Sequence, residues 1–191
     1  MTKGRMEAFS DGVFAVIITI MVLEMKAPYG TGLRALQPVL PAFLSYVLSF
    51  VYVGIYWSNH HHLLQAAQHV SGGILWANLH LLFWLSLVPF ITAWMGQNQF
   101  APWPVALYGV VLLLAGTAYF ILTKLLIALD GKESTLAASI GTDRKTRISL
   151  VVYAVAIPLS FVQPWIACAC YVVVAIMWLV PDPRIEKALH P

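Results

Sequence analysis

Residues 5–24 read RMEAFSDGVFAVIITIMVLE. Twelve of them, Gly12 to Leu23, carry no charge, and Asp11 and Glu24 bracket the run. A helix of that length rises only about 18 Å, against a hydrocarbon core of about 30 Å. A helix facing lipid would have to bury one of the two acids at a cost of a few kcal/mol. The segment is therefore expected inside a bundle, with its ends in watery vestibules. At about 100° per residue, Phe9, Gly12, Val16, Thr19, Ile20, Leu23 and Ala27 share one stripe, while Ser10 and Asp11 point away from it. By periodicity alone the stripe is equally compatible with ordinary helix packing, and Ser10-Asp11-Gly12 with an N-cap.

The rest of the chain is of the same kind. Of 191 residues, 60% are hydrophobic and 10% charged, and the mean hydropathy is +0.80. A soluble domain is about 45–50% apolar and about 25% charged, so these totals exclude a cytosolic globular domain and disorder alike. The pattern predicts six membrane-spanning helices at about 5–27, 36–60, 73–95, 103–129, 148–162 and 165–180 in a single all-α domain covering residues 1–191. Continuous runs without alternation exclude a β-barrel. The first run is followed by Glu24 and Lys26, which does not resemble a signal-peptide cleavage site. With six spans, Lys3, Arg5, Lys132, Arg144, Lys145, Arg147, Arg184 and Lys187 fall on one side and only Lys26 and Arg34 on the other. The positive-inside rule then places both termini in the cytoplasm. Trp57, Trp76, Trp94, Trp103 and Trp165 lie near segment ends, where an aromatic belt is expected.

Few residues carry chemistry. Three consecutive residues, His60-His61-His62, splay around a helix and cannot converge on one ion, so no metal site is expected. Cys168 and Cys170 are read as packing residues and His80 as a satisfied packing histidine. Pro89 and Pro158 are expected to kink their helices, and Gly109, Ala115 and Gly116 to allow close helix contact. No glycine-rich nucleotide loop occurs, the spans hold too few ionisable groups for an intramembrane enzyme, and the net charge of +3 reports topology rather than nucleic-acid binding.

The run Arg5-Met6-Glu7-Ala8-Phe9-Ser10-Asp11 resembles the signature of the transmembrane protein 175 family, endosomal and lysosomal potassium channels with bacterial relatives. The family pattern is an arginine, three residues, then Phe-Ser-Asp. Thr19 with Leu23-Glu24, Tyr56-Trp57 with Asn59-His60-His61, Leu75-Trp76 with Asn78, and Pro89-Phe90 with Thr92 extend the match. The resemblance implies a six-helix subunit in a homotetramer, with four first helices lining a pore that lacks a carbonyl filter. It implies constrictions at Val16, Thr19, Ile20 and Leu23; Val16 is smaller than the residue many relatives carry there. It also implies a passive channel, modestly selective for potassium over sodium, in the plasma membrane, with the permeating potassium ion in place of any cofactor and with itself and the bilayer as partners. Arg5, Phe9, Ser10 and Asp11 are implied to anchor the first helix, with Arg5, Ser10 and Asp11 bonding among Asn59, His60, His61, Trp76 and Asn78. The alternative is a proton channel or proton-coupled transporter that uses Asp11 and the membrane histidines as a relay.

Overall fold

The structure is a computed structural model that describes residues 2–131, 134, 137 and 144–179. Lys132, Arg184, Lys187, the final residue of the sixth expected span and the Pro181-Asp182-Pro183 stop lie outside the described residues. Every regular element among the described residues is helical: α1 (Lys3–Leu23), a 3-10 segment (Leu33–Val39), α2 (Leu40–Ala66), α3 (Gly72–Ser86), α4 (Val88–Gln97), α5 (Pro102–Asp130), α6 (Arg144–Val162) and α7 (Pro164–Leu179).

Proline and glycine set most of the boundaries. Pro41, Pro102 and Pro104 occupy first turns, where a missing N–H costs nothing. The Ser71 hydroxyl caps α3 by accepting from the Ile74 N–H at 3.4 Å. The third expected span divides at Leu87 into α3 and α4. Pro89 has no N–H to give to the Leu85 carbonyl, so the ladder is interrupted there. Pro158, by contrast, is accommodated within α6. The second expected span continues past His60 to Ala66. Counting α3 and α4 as one stretch, five stretches among the described residues are long and apolar enough to cross a membrane, and α7 is apolar but only 16 residues long.

The helix α5 runs through the middle and touches α3, α4, α6 and α7, while α1 packs on α2, α3 and α4. Apolar layers are joined by hydroxyl groups. Tyr52 donates to the Tyr171 carbonyl at 2.6 Å, Tyr153 to the Tyr52 hydroxyl at 3.3 Å, and Tyr171 to the Val105 carbonyl at 3.1 Å. Ser49 and Tyr108 share a bond of 3.0 Å, and the Thr92 hydroxyl lies 2.6 Å from Ser49 Oγ. Such pairings satisfy groups that lipid cannot. Close approach depends on small residues: a Cβ on Gly109 would lie 2.2 Å from the Tyr171 hydroxyl, and one on Gly96 2.6 Å from the Ala42 Cα. Cys168 and Cys170 are free thiols.

The α2–α3 turn is gripped from two sides. Lys3, at the start of α1, donates to the Ala67 carbonyl at 2.7 Å. The carboxylate of Asp130, at the end of α5, accepts from the Gln68 N–H at 2.8 Å, the His69 N–H at 3.2 Å and His69 Nδ1 at 3.2 Å. These bonds bring the ends of α1, α2 and α5 to one level of the bundle.

Candidate functional site: the two faces of the first helix

The buried positions of α1 are Met6, Ser10, Phe14, Ile17 and Met21. Their spacing of 4, 4, 3 and 4 residues makes a single packed face. The stripe read from sequence lies outside it. Phe9, Gly12, Val16, Thr19, Ile20 and Leu23 are all exposed in the single subunit, Val16 by 54% and Leu23 by 79%. This stripe carries no charge along its length. The Thr19 hydroxyl donates back to its own helix, 2.9 Å from the Val16 carbonyl and 3.1 Å from that of Ala15. Its proton is thus committed to the backbone of its own helix.

The polar face is held at the Lys3 end. Asn78, buried on α3, donates to Ser10 Oγ at 2.9 Å, and its side-chain oxygen lies 2.7 Å from His60 Nε2. Ser10 in turn donates to the Met6 carbonyl at 2.8 Å. One residue of each of α1, α2 and α3 therefore meets in a chain with every member satisfied. The His60 ring also packs on Phe14, with centroids 5.6 Å apart. Beside this chain, Asp11 accepts from the indole N–H of Trp57 at 3.0 Å, and Glu7 lies 3.5 Å from His61 Nδ1. Trp57 stacks over His61.

Ser10, His60 and Asn78 are thus brought together, and His61 reaches α1 through Glu7. Other expected anchors lie elsewhere. Asn59 bonds within its own helix to the Ile55 carbonyl. Trp76 is 75% exposed and Phe9 is 50% exposed. Arg5 is exposed, and its side chain makes no hydrogen bond or ion pair among the described residues. Asp11 takes Trp57 as its partner, an indole expected in the aromatic belt. The nearness of Trp57 to His60-His61 in sequence marked its depth, and its direction was the missing signal. His80 is exposed and accepts from Trp84 at 2.9 Å, one turn along α3. No three His, Cys, Asp or Glu residues among the described ones are grouped to hold a metal ion.

A family model described as the endosomal/lysosomal potassium channel TMEM175 matches residues 5–89, the part of the chain that contains both faces of α1 and the Ser10–Asn78–His60 chain. A protein of a Chryseobacterium species named as a potassium channel is 56% identical over 189 residues, covering 99% of this chain and 98% of its own length. The chain belongs to the TMEM175 family. The crystal structure of a lysosomal potassium-selective channel TMEM175 homolog from Chamaesiphon minutus superposes with a TM-score of 0.78 at 27% identity, over 93% of this chain and 96% of that one. The zebrafish (Danio rerio) TMEM175, named as an endosomal/lysosomal proton channel, is 40% identical over 75 residues, 33% of this chain and 14% of its own. TMEM175 proteins are channels, not enzymes, and this one is a multi-pass membrane protein.

Proposed function

We propose that four copies of this TMEM175 chain assemble around an axis lined by α1 and conduct potassium passively across the plasma membrane, with both termini cytoplasmic. The observation that carries this reading is the division of α1 into a packed face and an uncharged exposed stripe at the same helical period. Four such stripes facing one another form a narrow apolar conduit, with rings at Val16, Ile20 and Leu23. An apolar ring gates by dewetting and offers an ion little in exchange for its hydration shell. Potassium gives up water at lower cost than sodium, so the ring favours it. Four Thr19 oxygens, their protons held by the helix backbone, replace part of the lost hydration without a fixed charge. Selectivity is therefore modest. The Ser10–Asn78–His60 chain, with Asp11 on Trp57 and Glu7 beside His61, is assigned to holding α1 in register.

The second reading is a proton path through Asp11 and the membrane histidines. The zebrafish relative's name favours it. Against it, Asp11 lies off the exposed stripe and is occupied by Trp57. Reversal potentials of the purified protein in planar bilayers decide between them. A potassium/sodium gradient at equal pH should give a reversal potential displaced toward that of potassium. A current that reverses near zero there, and follows an imposed proton gradient at symmetrical potassium, overturns the potassium reading.

A further inference from the structure

One peptide group of the α2–α3 turn is held by charge on both sides. Lys3 Nζ donates to the Ala67 carbonyl oxygen at 2.7 Å, and the Gln68 N–H donates to Asp130 Oδ2 at 2.8 Å. That carbonyl and that N–H belong to the same peptide unit. The ammonium of α1 and the carboxylate of α5 therefore lie on opposite edges of a single amide plane. The backbone at Ala67 makes this possible: at φ −74° and ψ 138° it leaves the helical conformation and turns the next peptide out of the direction of α2. The site is shielded, with the Asp130 side chain 2% exposed and Ala67 1% exposed. Asp130 Oδ1 is occupied separately, by the His69 N–H and His69 Nδ1, each at 3.2 Å. Lys3 and Asp130 make no direct ion pair. Glu7, an acid of α1 one turn beyond Lys3, is beside His61 instead.

A peptide bond is a resonance hybrid, so its oxygen and its N–H share one electron system. A cation on the oxygen draws density toward it and makes the N–H a better donor. A carboxylate on the N–H makes the oxygen a better acceptor. Hydrogen bonds in series polarise one another in this way, and more strongly out of water. Each charge thus strengthens the bond made by the other without touching it. Lys3 is the first residue of α1 and Asp130 the last of α5. We propose that Lys3 and Asp130 are a coupled pair of positioning residues that act through the Ala67–Gln68 peptide, so that the end of α5 fixes where α1 begins. The consequence for a conduit rests on the reading of α1 given above; the pairing itself does not.

The test follows the amide protons of Gln68 and His69 by nuclear magnetic resonance, in the full-length protein labelled with nitrogen-15 glutamine and histidine. Asp130→Asn keeps an acceptor and removes the charge, so the Gln68 proton should move upfield. Lys3→Met alters only the carbonyl side of that peptide, yet it should move the Gln68 proton in the same direction, and Lys3→Arg should restore most of the original position. The shift caused by Lys3→Met should shrink once residue 130 is neutral. His69 is the control: its N–H also meets Asp130, but it belongs to a peptide that carries no cation, so Lys3→Met should move it less. A Gln68 proton that Lys3→Met leaves in place overturns the coupling. So does equal movement of Gln68 and His69, which means a turn that has merely loosened, or a Lys3→Met shift of undiminished size beside Asp130→Asn. Hydrogen exchange reads the placement of α1. Asp130→Asn should quicken exchange in the first two turns of α1 as Lys3→Met does, although Asp130 bonds no residue of that helix. Unchanged exchange there overturns the positioning role. No ion flux is read, so these failures leave the channel reading intact.

Discussion

Two of the polar clusters in this bundle are built from different materials. At the Lys3 end of α1, the contacts of Ser10, Asn78 and His60, of Asp11 with Trp57, and of Glu7 with His61 mix amides, imidazoles and carboxylates. Deeper in, the cluster of Ser49, Thr92, Tyr52, Tyr108, Tyr153 and Tyr171 uses neutral hydroxyls only. Groups that can carry charge are found where α1 must be aimed, and the second cluster joins helices that only need to stay together. Directional amide and imidazole bonds fix the rotation of a helix; hydroxyl bonds to carbonyls mainly satisfy polar groups in an apolar medium.

The comparison is broken most severely through Gly109. Gly109→Leu should cost about 3 kcal/mol, the upper range of overpacking, because the new side chain displaces the Tyr171 hydroxyl from the Val105 carbonyl. A drop in melting temperature in detergent checks it, and a neutral result would remove the hydroxyl cluster from the list of packing constraints. Next comes Asn78→Leu, which strands His60 and takes from Ser10 Oγ its donor across the helices. Interhelical bonds in membranes average about 0.6 kcal/mol and reach about 1.7, so a loss of about 1–3 kcal/mol is expected. Unlike Gly109→Leu, it should also alter single-channel conductance, because α1 loses its orientation. Tyr153→Phe removes one bond of 3.3 Å and should cost about 0.6 kcal/mol with conductance unchanged. Leu23→Ala is the smallest for stability, within about 0.5 kcal/mol for an exposed site. Its effect appears in permeation: the reversal potential in a potassium/sodium gradient should move toward zero as the ring widens. A variant with unaltered selectivity would take Leu23 out of the conduit.

The stripe of α1 was visible as a charge-free set with a period of about 3.6 between Asp11 and Glu24, although that period alone equally fits ordinary helix packing. The family motif at Arg5 and Phe9-Ser10-Asp11 pointed to the cluster that contains Ser10, His60 and Asn78. Partner choice was less legible. Trp57 and Asn59 are two residues apart and both near the end of the expected span, and hydropathy orders residues by depth without saying which way a side chain turns. Asp11 therefore went to an indole rather than to the histidines. Tyr52, Tyr108, Tyr153 and Tyr171 come together from four expected spans that share no motif, so a pattern read along the chain gives them no common signal. The split at Leu87 had its cause in view at Pro89, but Pro158 has the same local signature and leaves α6 unbroken.

Lys3 on the Ala67 carbonyl and Ser10 under Asn78 both act near one end of α1, whereas Phe14, Ile17 and Met21 are held by apolar contact alone. A rod pinned by oriented bonds at one end and by slippery contacts along the remainder behaves as a lever with an inboard fulcrum. Angular play there grows into lateral travel with distance, so Leu23, farthest from the pin, has the widest swing for the least energy.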